Sequence, residues 1–157
     1  MGVRKIDQRF VEQTRGMVAA LAPDIKPQWG TMTLGQMLAH MVTAVRYSLG
    51  KDPETPNEGG FFGAHIAAPL ILNGYLKIPP GQKGPAMYDM AAPSATLEEL
   101  AAEFAAFVSA QAKPGFAPPS HPYFGDIGPR GWEKLHVVHM EHHLRQFGID
   151  TRGYVKG

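Results

Sequence analysis

The chain has 157 residues, the length of one ordinary domain and enough to bury a full core without covalent staples. Fifteen Lys and Arg against 14 Asp and Glu leave a formal charge of +1. That excludes the basic footprint a phosphate backbone requires, so no nucleic-acid partner is expected. With no cysteine, disulfides, thiolate metal ligands and Cys-His catalysis are excluded as well.

The opening "MGVRKIDQRFVEQTRG" is charged and carries no apolar signal core. Together with the lack of cysteine this sets the expectation of a cytoplasmic location. A first helix is predicted from Asp7 to Leu21, ending before Pro23, with Phe10, Val11, Met17, Val18 and Leu21 on one stripe. After the connector "APDIKPQWGTM", a second helix starts at Thr33, where Thr33 and Gln36 form a capping-box pattern, and stops at Gly50. Leu34, Met37, Leu38, Met41 and Val45 supply its buried face.

The segment "KDPETPNEGG" reads as a loop. A third helix is expected over parts of Ala64 to Leu76, kinked or restarted by Pro69. The surrounding "FFGAHIAAPLILNGYLKI" is the most apolar stretch. His65, Pro69, Asn73 and Gly74 interrupt it too often for a membrane span, so no membrane partner is expected.

The next stretch, "KIPPGQKGPAMYDMAAPSA", is long and irregular. A fourth helix opens at Thr96, with Glu99 completing a second capping box and Leu97, Leu100, Phe104, Phe107 and Val108 along its inner face. The loop "AKPGFAPPSHPYFGDIGP" leads to a fifth helix from near Pro129 to Gly148. With no strand alternation and no repeat, the expected fold class is all-α, a single domain over residues 1–157. Loops this long inside a domain are usually functional or disordered. These carry Phe61, Phe62, Tyr88, Phe116, Tyr123 and Phe124, which suggests packed loops roofing a pocket.

Four of the seven histidines crowd into "HVVHMEHH" on the fifth helix. With His139 at zero on a helical wheel, Trp132 lies at about 20°, His143 at about 40°, His136 at about 60° and Gln146 at about −20°. These share the core-facing side with Leu135 and Phe147, while Glu133, Lys134, Glu141 and Arg145 fall on the other. His142 flanks the stripe at about −60°. Residues four apart sit one turn apart, so His139 and His143 can converge on one ion. Pairing His139 with His136 or His142 is the fallback. Two buried imidazoles must each find a partner, since an unsatisfied buried polar group costs about 1–3 kcal/mol, and a shared divalent ion satisfies both. The H-E-x-x-H protease motif is absent because Met140 follows His139.

A site between helices needs a ligand from a facing helix. His40 in "QMLAHMVTAVRY" is the candidate, at the edge of its apolar stripe beside the small Ala44. His65 reads as a cap or surface residue. His121, beside a proline, rims a pocket or packs. Trp29 and Trp132 are core or pocket wall, and Gln146 is a candidate partner for a ligating histidine. No nucleophile elbow and no phosphate loop is present.

The early "TLGQMLAHM", the "HPYFG" loop and the final "HVVHMEHHLRQFG" together resemble the DinB/YfiT-like superfamily, over nearly the whole chain. The branch it resembles has an H-P-x-F-G loop before an H-x-x-H-H-x-x-Q-F helix. The resemblance implies a four-helix bundle in up-down-down-up order, with an additional short or broken helix and long crossover loops, often as a homodimer. It implies a divalent metal on three histidines, carried over to His40, His139 and His143. Zinc or nickel is expected, with iron as a further option. It also implies a metal-dependent hydrolase or a thiol-dependent transferase acting on a small molecule, with a thiol as cosubstrate in the second case. The alternatives kept open are a binding or structural bundle whose metal only fixes the helices, and a chain whose histidines are all core. Around the site, His136, His142, Gln146, His121, Tyr47, Trp132 and Phe124 are candidates for supporting or pocket roles. The general base is open among His136, His142, His121, Tyr47 and Glu12.

Overall fold

A computed structural model describes residues 2–157. The chain is helical, and among the described residues no strand forms beyond an isolated bridge between His121 and Gly125. No helix is long and apolar enough to cross a membrane.

Helix α1 spans Gln8–Ala19, capped by the Asp7 side chain accepting from the Phe10 amide. Helix α2 spans Leu34–Ser48, and α5 spans Leu97–Gln111. Each opens on the expected capping box, Thr33 with Gln36 and Thr96 with Glu99, in which side chain and backbone satisfy each other reciprocally. Helix α6, Gly128–Gln146, begins with Pro129 in its first turn. Helix α5 packs on α2 and α1, and α6 packs on α2 and on the short helix over Ala68–Leu72. One connected apolar core runs from Val3 to Tyr154 and includes Phe10, Met37, Met41, Phe104, Phe107, Trp132 and Met140.

The third helical region differs from the expectation. It starts at Gly60 rather than near Ala64, as a short α3 over Gly60–Phe62, then widens into a π-helical turn over Gly63–Ala67. It closes as α4 over Ala68–Leu72, with Pro69 at the start of α4. The wider turn just ahead of Pro69 eases the ring past the preceding carbonyls, so the proline restarts the helix instead of ending it. The early start has a packing cause. A Cβ at Gly59 or Gly63 would lie 1.9 and 2.0 Å from the Tyr123 carbonyl oxygen, so only glycine lets this segment press onto the "HPYFG" loop. The stretch read as irregular also holds a 3₁₀ helix, Ala86–Met90, packed on α2.

Helix α6 is covered on nearly every side, so Glu133 and Glu141 are buried although they lie on the side away from the core-facing stripe. Both are only 3% exposed. Glu133 accepts from the Ile6 amide at 2.8 Å and from Arg130, which also bonds the carbonyls of Val3 and Arg4. Glu141 accepts from Arg145, Thr151 and Lys77 at 2.8, 2.7 and 3.2 Å. The two ends of the chain lie over the outer face of α6, joined to each other where the Arg4 amide donates to the Val155 carbonyl. A helical wheel separates core from non-core within one helix; it carries no information about distant segments that later lie across it.

Candidate metal centre

Packing α2 against α6 brings His40 to His139 and His143. His139 and His143 are buried and His40 is half-buried. The Nε2 atoms of His40 and His139 are 2.8 Å apart, and those of His139 and His143 are 3.0 Å apart. One nitrogen from each of the three lies within 4.8 Å of the others, close enough to hold a metal ion. Zinc–imidazole bonds of about 2.0–2.1 Å at tetrahedral angles put donor nitrogens about 3.3 Å apart, so small side-chain adjustments suffice to admit an ion. Ala44, one turn along α2 from His40, is buried and small.

The protonation states suit the same role. Burial lowers the pKa of His40 to about 4, and the nearby His142 pushes it the same way. Burial, then the neighbouring imidazoles, holds His139 and His143 well below the usual histidine range. At neutral pH all three are uncharged, the state in which imidazole ligates metal.

The tautomer of His143 follows from its surroundings. Gln146 Nε2 donates to the Trp29 carbonyl at 3.1 Å, which leaves Gln146 Oε1 as an acceptor 2.8 Å from His143 Nδ1. The His143 proton therefore sits on Nδ1, and its Nε2 lone pair faces the other histidines. Gly30, at φ 72°, turns the chain after Trp29. His142 lies beside the triad, with its ring 5.0 Å from His143, and its Nδ1–H donates to the Ile78 carbonyl at 3.1 Å.

The other candidate residues assemble elsewhere. His136 is fully buried; its Nε2–H donates to Ser48 Oγ at 2.9 Å, and Ser48 donates to the Val45 carbonyl. His136 Nδ1 has no partner. His121 Nδ1 accepts from the amides of Tyr123 and Phe124, both at 3.0 Å, and its ring stacks on Phe124. Trp132 lies against both of these histidines and against Tyr47, and donates to the Pro119 carbonyl. Tyr47 Oη accepts from the Thr55 amide. His121, His136, Tyr47, Trp132 and Phe124 thus form an aromatic core cluster, distinct from the triad. Burial lowers both of its histidines to about 3. Glu12 is exposed on α1 and pairs with Arg15, and His65 is exposed with its ring near Phe61.

One neighbour of the triad was not singled out as a site residue. Tyr88, on the 3₁₀ helix, stacks on His40 with ring centroids 3.9 Å apart and planes 28° apart, and lies 5.9 Å from His139. Burial raises its phenol pKa, so it stays neutral. In the sequence it was one of six aromatics on long loops, and the only hint was that such loops pack.

No curated protein and no solved structure matches the chain. A family profile does match over residues 8–149, from the start of α1 to just past α6, and so contains the whole triad. The chain belongs to that family, described as a protein of unknown function (DUF1569).

Proposed function

We propose that the chain is a metal-dependent enzyme, a hydrolase or thiol-dependent transferase for a small molecule, with His40, His139 and His143 as ligands of one divalent ion. We place its helices in the DinB/YfiT bundle type, on the strength of the motifs in α2, the "HPYFG" loop and α6. The observation that carries the reading is three neutral imidazoles whose Nε2 atoms meet, one with its tautomer set by Gln146. Three neutral ligands leave an ion its full charge and an open position, the pattern of catalytic rather than structural sites. Bound there, a divalent ion supplies Lewis acidity toward a water, a thiol or a carbonyl. The chain's own part is to aim the three nitrogens, to hold the His143 proton on Nδ1, and to keep the surroundings dry. The test is metal content by mass spectrometry on protein purified without a histidine tag. About one zinc, nickel or iron per chain supports the reading, and less than about a tenth, unrestored by added metal, removes it.

The burial of His139 and His143 favours a second reading, in which the ion only fixes α2 to α6. His143→Ala separates the two. A structural ion gives a collapse in Tm along with metal loss, whereas a functional one gives metal loss with Tm nearly kept.

Two copies are further proposed to pair through the outer face of the 60–76 segment. Phe61, Phe62, Ile66, Leu70, Tyr75 and Leu76 are exposed there, and no charged residue occurs from Gly59 to Leu76. These side chains present roughly 600–800 Å² of surface, near the share each partner contributes to a standard interface. A neutral face suits a second copy of itself better than an anionic lipid surface, for which cations flank the apolar side. Phe62→Lys is expected to convert a dimer into a monomer by light scattering; an unchanged mass excludes this face.

A further inference from the structure

We infer that Tyr88 sets the size of ligand that reaches the triad, because its ring stands on His40 and must move before anything bulky can approach. The inference rests on the proposed metal site and concerns access to it.

The ring is placed by a strap with firm ends. At one end the Ile78 carbonyl takes the His142 Nδ1–H and a contact from Arg145, at 3.1 and 3.4 Å. At the other the Ala86 amide donates to Glu58 at 3.0 Å, and Met87 is buried in the core. Between these anchors Pro79 to Gly84 are all exposed, with Gly81 at φ 74°. The strap is therefore fixed to α6 at one end and, through Ala86 and Met87 of the 3₁₀ helix, to Glu58 and the core at the other, while its middle lies in solvent.

Gly84 shows how closely the strap is fitted over the triad. A Cβ there would lie 2.8 Å from Tyr88 Cδ2 and 3.9 Å from His40 Cε1. The absence of a side chain at this one position lets the strap close and holds the tyrosine flat on the imidazole. The closed arrangement costs apparent affinity for any ligand that needs the open one, in proportion to how seldom the strap opens. On this inference a small anion passes beside the ring, whereas an aromatic thiolate cannot share its place. The site thereby discriminates by bulk before any chemistry occurs.

The test uses the full chain loaded with cobalt(II), whose visible bands report bound ligands, titrated with azide and with thiophenolate. Tyr88→Ala is expected to tighten thiophenolate about tenfold or more and to leave azide within about threefold. Tyr88→Phe keeps the ring and is expected to match the native protein. Gly84→Ala pushes the ring off His40 and is expected to act in the same direction as Tyr88→Ala, by less, and it decides the matter if Tyr88→Ala does not fold. If cobalt binds and thiophenolate affinity stays within about twofold of native in both variants, or if both ligands shift equally, the gating role is overturned while the metal site stands. If cobalt does not bind the native protein, the metal site falls and this inference falls with it.

Discussion

His136 and His139 are one turn apart on α6, both buried and both uncharged at neutral pH, yet they belong to different kinds of place. Around His136, with His121, one nitrogen of each ring is met by a hydroxyl or by backbone amides, and the rings pack on Phe107, Trp132 and Phe124. Around His139 the nitrogens meet each other. Neutral imidazoles packed nitrogen to nitrogen have too few protons and too many lone pairs to satisfy one another, and an ion supplies what is missing. Burial and lowered pKa are common to both clusters; convergence of lone pairs marks only one.

The comparison can be broken most directly by alanine substitution at each histidine. His139→Ala is expected to lower metal content from about one ion per chain to under about a tenth. His136→Ala is expected to keep the metal but to cost about 2–4 kcal/mol in urea denaturation, since it opens a cavity among aromatic rings. If His136→Ala also loses the metal, the two clusters are not separable. A smaller effect is expected one shell out. Gln146→Leu frees the tautomer of His143 and should weaken metal affinity about 10–100-fold, measured by competition with a chelating dye.

The smallest effect sharpens the other side of the comparison. His121 and His136 have folded-state pKa values near 3, below the 6.5 of an unfolded chain. The unfolded state therefore binds more protons between these values, and stability present above pH 6.5 is lost as pH falls toward 3. Each histidine contributes a slope of up to about 1.4 kcal/mol per pH unit in that window. In metal-free protein, His136→Leu is expected to flatten the dependence of urea midpoint on pH between 6.5 and 5 by one histidine's share; an unchanged slope shows that His136 is not buried neutral.

How much of this could be read beforehand varied with the range of the interaction. The capping boxes at Thr33 and Thr96 are local, three-residue events, and they occur as expected. The inward pair His139 and His143 followed from the helical period alone. His40 was a candidate from its place beside Ala44, but the resemblance is what raised it to a ligand, because nothing within α2 says which helix it will face. The burial of Glu141 was not legible, because Lys77 pairs with it from 64 residues away and Thr151 from a segment beyond the helix. Tyr88 was hidden for a related reason. A 3₁₀ turn between Pro/Gly-rich segments has no periodicity to reveal which way a ring will point, and only the fit of Gly84 over it fixes the answer.

The bond from the Arg4 amide to the Val155 carbonyl also bears on how this chain could be rewired. With residues 4 and 155 in contact, a short linker could join these two segments directly, and the chain could be reopened at the exposed Lys113–Gly115 turn that follows α5. Such a circular permutant would keep Glu133 and Glu141 sheathed and the triad undisturbed, while placing both new ends in the exposed turn after α5. Fusion partners or surface tethers could then be attached without lifting the covering segments off the histidine helix.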